Sequence, residues 1–229
     1  MRTFDFQVHS NFSYDSLSKL KNIKKQALKE KIDGIAITDH ETIKGGLESK
    51  KYSDDNFLFI PGQEISTNYG DIIGLMISEN IRSSDFLEVI DEIKSQEGIV
   101  YLPHPSRKMK LNPEEIKDKI DLVEAVNGRS TPEENFYSTK LALDLELPYA
   151  SGSDAHTIRE IGKVKTVFSE EIHNEEELRK NLVNISKKRK IVGSGSYEFF
   201  NHLQSSIVGT IKTGKVKEFT KGIVKKIQK

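Results

Sequence analysis

Seven residues in this chain are of types that hold divalent metals: His9, Asp15, His40, Glu64, His104, Asp154 and His156. Borderline divalent ions favour imidazole nitrogens together with carboxylates, and two neighbouring ions need a carboxylate between them. Asp154 and His156 are two residues apart, which puts both donors on one side of an extended segment. A lone Asp-x-His arises by chance on solvated loops, as does the Asp39-His40 pair. The set carries weight because it takes four of the six histidines and its pieces end candidate strands. His173 and His202 fall outside it and read as surface or packing residues. At such a site a metal-bound water loses its proton near neutral pH and becomes a nucleophile for hydrolysis. Cationic side chains stabilise the charge that builds in the transition state. Arg107, close after His104-Pro105, is the first candidate to grip an anionic substrate group, since a guanidinium can hold two oxygens at once. Arg129 is the second and Lys163 the third, each with a rim salt bridge as the alternative. Asp39 either orients His40 or caps the following helix.

The elements that must position these residues are short apolar strands alternating with amphipathic helices. Arg2–Val8 reads as a strand, and Ser16 as the N-cap of a helix through about Lys31, with Leu17, Leu20, Ile23, Ala27 and Leu28 at helical spacing. Further strands are expected at 35–37, 57–60, 71–77, 99–102, 122–126, 149–151 and 164–168, and helices near 84–96, 132–145 and 174–185. Such alternation implies a parallel α/β architecture. If the sheet closes, the ligand residues at the strand ends meet on one rim. Gly193-Ser194-Gly195-Ser196 reads as a linker, which divides the chain into a barrel over 1–193 and an extension over 194–229. The extension has two weak helical patterns broken at Thr213-Gly214.

Several segments together resemble the ordered motifs of the PHP (polymerase and histidinol phosphatase) superfamily. They are Asp5–Ser10, Ile37–His40, Pro61–Ile65, His104–Arg107, Glu124–Asn127 and Gly152–His156, spread over residues 3–168. The resemblance implies a distorted (β/α)7 TIM-like barrel, here with a short C-terminal helical extension. It also implies two or three Zn, Mn or Fe ions and phosphomonoesterase or phosphodiesterase activity. The family's metal ligands carry over to His9, Asp15, His40, Glu64, His104, Asp154 and His156. Glu64 becomes the bridging carboxylate, and Glu64, Asp154 and Arg107 the expected catalytic residues. Two positions depart from the pattern. Gln7 stands where the family usually has the first His of a His-x-His, and no His lies between Glu64 and His104. A neutral amide is a weaker donor than imidazole, so an ion leaning on position 7 should be the weakest bound, and Gln7→His should tighten it. In the opposing reading, Gln7 hydrogen-bonds a rim neighbour and the site is dinuclear. Asp71 is a stand-in for the absent His or, by preference, a solvated strand residue.

Composition narrows the remaining choices. The chain has 229 residues and no cysteine, which excludes disulfides, thiolate metal sites and a Cys nucleophile. Any metal must be held by imidazole and carboxylate, a donor set that favours Zn, Mn or Fe. The longest aliphatic run, near 72–77, is too short to cross a bilayer, so a cytoplasmic protein without a membrane partner is expected. The formal net charge is zero, yet residues 187–229 carry 11 Lys/Arg against 2 Asp/Glu. The leading expectation is a metal-dependent hydrolase acting on a small phosphorylated substrate. The first alternative is a nuclease-like phosphodiesterase whose basic tail follows a nucleic-acid backbone. The second is a non-catalytic RNA-binding scaffold like the archaeal ribonuclease P subunit, which has a related barrel and generally lacks the metal ligands. Retention of seven ligand-type residues weighs against the scaffold. A sugar or amide hydrolase is more distant, and oligomeric state has no signature.

Overall fold

The computed structural model describes residues 1–108, 113–196 and 198–215. Nine strands among them form one sheet: β1 (Arg2–Val8), β2 (Gly34–His40), β3 (Leu58–Thr67), β4 (Gly70–Leu75), β5 (Ile99–Leu102), β6 (Leu122–Asn127), β7 (Tyr149–Gly152), β8 (Val164–Phe168) and β9 (Arg189–Gly193). Their order is β7-β6-β5-β4-β3-β2-β1-β8-β9. The helices are α1 (Leu20–Lys29), α2 (Lys44–Ser49), α3 (Phe86–Ser95), α4 (Pro105–Lys108), α5 (Pro113–Ile116), α6 (Pro132–Asp144), α7 (Glu175–Leu182) and α8 (Phe199–Thr213).

The sheet curls until β7 returns to β1, giving the expected barrel-like α/β architecture. His9 N donates to Ala155 O at 2.8 Å, and Val8 and Ala155 form a parallel bridge. Ser151 N donates to Thr166 Oγ1 at 2.9 Å, which ties β7 to β8. Glycine is required at this seam, because a Cβ on Gly152 would lie 2.6 Å from Gln7 N. Buried Asp5 spans the same seam, accepting from Ser153 N at 2.8 Å and Gly162 N at 3.2 Å. Phe4, Phe6, Ile60, Ile73, Tyr101, Leu122 and Phe168 come from six strands into one buried cluster. A second cluster sets Val89, Ile90 and Ile93 of α3 against Val100 and Val123. No helix among the described residues is long and apolar enough to cross a membrane.

Three local expectations change. The strands are not all parallel: β4 runs antiparallel to both β3 and β5, and β8 antiparallel to β1 and β9. β3 extends through Glu64 to Thr67, so Glu64 stands inside a strand rather than beyond its end. The first helix starts at Leu20, not Ser16, and leaves Leu17 exposed. Ser16 has another role, since its hydroxyl lies 2.9 Å from His9 O and 2.8 Å from His156 O and joins two ligand-bearing segments. The second weak helical pattern of the extension, with five of the basic tail's 11 Lys/Arg, lies outside the described residues.

Candidate metal centre

The residues at the barrel rim are placed by strand ends, one strand interior and a few tight bends. His9 follows β1 directly, just after a register shift between Asp5 and Val8. Such bulges bend a strand and re-aim its side chains. His104 and Asp154 have positive φ, 29° and 54°, a backbone region that costs a non-glycine residue roughly 1–2 kcal/mol. The bend at His104 is supported by its N–H donating to Glu124 Oε2 at 2.8 Å.

All seven expected ligands converge. His9, Asp15, His40 and His156 offer donor atoms within 4.8 Å of one another. Within that group His156 Nε2 lies 2.9 Å and His40 Nε2 3.4 Å from Asp15 Oδ2. Glu64, Asp71 and His104 form a second such group. Glu64 faces both: Oε2 is 3.3 Å from His9 Nε2 and 3.7 Å from His40 Nδ1, and Oε1 is 3.1 Å from His104 Nε2. Asp154 Oδ1 lies 3.3 Å from His9 Nε2. Asp71 is not the solvated residue preferred from sequence, for it is 6% exposed and accepts from Ser66 Oγ at 2.8 Å.

Gln7 is committed to hydrogen bonds. Its Nε2 donates to Glu64 Oε2 at 3.0 Å, and its Oε1 accepts from Asn127 Nδ2 at 3.0 Å. Asn127 also donates to Glu124 Oε2 at 2.9 Å, so a polar chain runs from Glu64 to Glu124. This is the rim-neighbour arrangement that opposed an ion leaning on Gln7. Asp39 neither orients His40 nor caps a helix through its hydrogen bonds; its carboxylate takes Ser10 N at 2.6 Å and Ser10 Oγ at 2.7 Å.

The electrostatics are those of a buried charge cluster. Burial by itself would raise Glu64, Asp154 and Asp15. Histidines offset this at all three, with Arg107 helping at Asp154, and hold each carboxyl well below its usual range. Burial would lower His9 and His40, yet the facing carboxylates push both up. His156 goes down, through burial and the His9 charge. Glu124 is raised to about 8 by burial, with the Asp154 charge adding to it.

This donor set fits divalent cations. Both ring nitrogens of His9, and Nδ1 of His40, are buried without a hydrogen-bond partner, although carboxylate oxygens stand close. A cation shared between those imidazoles and carboxylates would satisfy atoms that otherwise bear a desolvation penalty. His9, Asp15, His40 and His156 would hold one ion and Glu64, Asp71 and His104 a second, with Glu64 between them.

The expected phosphate-binding cations differ in freedom. Arg107 is partly exposed and pairs with Asp154 Oδ2 at 2.8 Å. Arg129 is buried: Nη1 lies 2.9 Å from His156 Nδ1, Nη2 donates to Ser205 Oγ at 2.9 Å, and Nε is 3.4 Å from Glu160 Oε1. Lys163 pairs with Glu198. Beside Asp15 opens a cavity of about 610 Å³, lined by Tyr14 and by Ser206, Thr210 and Thr213 of α8. Tyr14 stacks on His40 with ring centroids 5.1 Å apart. Sequence reading missed Tyr14, Glu160, Ser205 and the rest of α8, since none sits in a motif and α8 shows only a weak helical pattern.

Residues 132–184 match the model of a PHP-associated family. An uncharacterized protein of Methanocaldococcus jannaschii is 34% identical over 177 residues, which cover 72% of this chain and 70% of that one. A two-domain protein of Bacteroides vulgatus, described as containing a predicted PHP-like metal-dependent phosphoesterase, superposes with a TM-score of 0.71 at 20% identity. That match covers 84% of this chain but only 65% of the larger protein. A lesion-specific endonuclease of Pyrococcus furiosus has a TM-score of 0.57 at 18% identity, covering 83% of this chain and 57% of the enzyme. At such identities the two structures establish likeness of fold alone.

Proposed function

The chain belongs to the PHP superfamily, and from that premise we propose that it is a metal-dependent phosphoesterase acting on a small, polar phosphate ester. The observation that supports this most is the division of the imidazoles and carboxylates into two groups, with Glu64 of one facing His9 of the other, beside an open cavity. Divalent Zn, Mn or Fe held there would activate water and neutralise phosphate oxygens.

The chain's own residues supply binding and orientation. Arg107 is the phosphate-gripping residue, because its guanidinium is partly exposed and held at the site by Asp154. Arg129 is a brace for His156, its three nitrogens already facing protein atoms. The cavity beside Asp15 is lined by the hydroxyl-bearing residues Tyr14, Ser206, Thr210 and Thr213, a polar wall that suits a leaving alcohol with polar groups. A volume of about 610 Å³ fits a sugar phosphate or a mononucleotide more readily than a duplex. Likeness in fold to the Pyrococcus furiosus endonuclease favours nucleic acid as the second reading, with the basic tail as its backbone contact.

Metal analysis of the purified chain, followed by phosphate release with added Mn, Zn or Fe, tests the proposal. Turnover of small monoesters above that of oligonucleotides is expected. Oligonucleotide cleavage with a steep salt dependence would instead select the nuclease reading. A folded chain that takes up no ion would end both.

A further inference from the structure

The ammonium of Lys212 has three donors, and the structure matches each with a backbone carbonyl: Asn11 O at 2.9 Å, Ser13 O at 2.7 Å and Ser16 O at 2.7 Å. Those carbonyls come from the loop between β1 and α1 that carries Asp15. Ser13 links the two arrangements, since it gives its carbonyl to Lys212 while its hydroxyl donates to Asp15 Oδ1 at 2.7 Å. Ser205, Gly209 and Lys212 stand at i, i+4 and i+7 on α8, which places them on one helix face. That whole face looks at the site. Ser205 accepts from Arg129, which in turn meets His156. A Cβ on Gly209 would come within 3.3 Å of the Tyr14 ring and 3.4 Å of Asp15 Cβ.

We propose that α8 is a working part of the metal centre, with Lys212 as the positioning residue that sets Asp15 and Ser205 as the one that steadies His156 through Arg129. Lys212 acts as an internal cation that gathers three carbonyls and so fixes the loop from which Asp15 projects. The clamp is one-sided. Its contacts reach Asp15 and His156, ligands of one group, and none of those just named reaches Glu64, Asp71 or His104. The inference rests on the metal-binding reading above.

The test is calorimetric titration of the metal-stripped full chain with Mn, as wild type, Lys212→Met, Lys212→Arg and Ser205→Ala. Residues supporting a ligand from outside the first contact layer typically alter metal affinity about 10–100-fold. Lys212→Met should therefore weaken one ion at least about tenfold and leave the other within about twofold. Lys212→Arg, which keeps a cation able to donate to carbonyls, should recover most of the loss. Ser205→Ala should weaken the same ion by less, and carries the test if Lys212→Met fails to fold. Equal affinities in wild type and variants, or a parallel loss at both ions, would overturn the role of α8. A wild-type chain that binds no ion would overturn the metal reading itself, a separately visible result.

Discussion

Glu64 and Asp71 are neighbours because of strand register, whereas Asp15 and His156 are neighbours because side chains tie loops together. In the first case β3 pairs with β4, Ser66 lies opposite Asp71, and Glu64 sits two residues along. The ladder itself brings the two carboxylates to one place. In the second, Ser16 links the carbonyls of His9 and His156, Asp39 holds Ser10, and Lys212 holds the loop. A ligand built into a ladder needs little support beyond backbone pairing. One carried on a loop draws its geometry from several polar contacts, each of which can be removed without disturbing the barrel.

Glu64 belongs to one group and faces His9 and His40 of the other, so its replacement should have the largest effect. Glu64→Gln is expected to lose ions from both and to lower phosphoester turnover about a thousandfold, roughly 4 kcal/mol of barrier. Elemental analysis beside a phosphate-release assay reads both quantities. Loss of one ion with the other kept at full occupancy would show that the groups are independent. Asp71→Asn comes next, and should weaken only the strand-borne ion, by about tenfold in a metal titration. Weakening of both ions would show that Asp71 serves the whole cluster.

Asp5, beneath the loop-borne group, acts on folding stability rather than on an ion, and its effect depends on pH. Burial pushes its carboxyl from 3.8 up to about 6, so over that interval the folded chain holds a proton the unfolded chain has released. Its contribution is complete below about pH 4 and is lost as pH rises through about 6; the full swing is about 3 kcal/mol at 1.4 per unit. Urea unfolding of wild type and Asp5→Asn at pH 4 and pH 7 measures it, and the variant should gain on wild type at the higher pH. A difference that stays the same at both pH values would show that Asp5 ionisation does not distinguish the folded from the unfolded chain. Gln7→His should change least. Because the Gln7 amide already bridges Glu64 and Asn127, the ion count should stay the same and affinities should remain within about twofold. An added ion in that variant would mean the family's usual third site is still available.

The convergence of the strand-end candidates was legible in the sequence because each sits in a short apolar segment whose neighbours set its position. His9, His40, His104 and the Asp154–His156 pair all lie where local patterning places them. The parts that were not legible depend on distant partners. Ser16 is a sound N-cap by type, but its hydroxyl is engaged by carbonyls of His9 and His156. Asp71 looks solvated in a strand pattern until β4 folds antiparallel between β3 and β5 and buries it. Lys212 is one lysine among many in a basic tail, and no local rule marks it as bound to the first loop of the chain.

The reach of that lysine sets an order of assembly. A protein is made from its N-terminus at about 5–20 residues per second, and the partners of Lys212 precede it by 196 to 201 residues. His9 and Asp15 are therefore synthesised roughly 10–40 seconds before the residue that holds their loop. On that schedule the strand-borne residues are synthesised well before α8, and the Asp15 loop gains its clamp only when synthesis has passed α8. Were the centre to take two ions, the direction of synthesis would therefore complete the loop-borne site last.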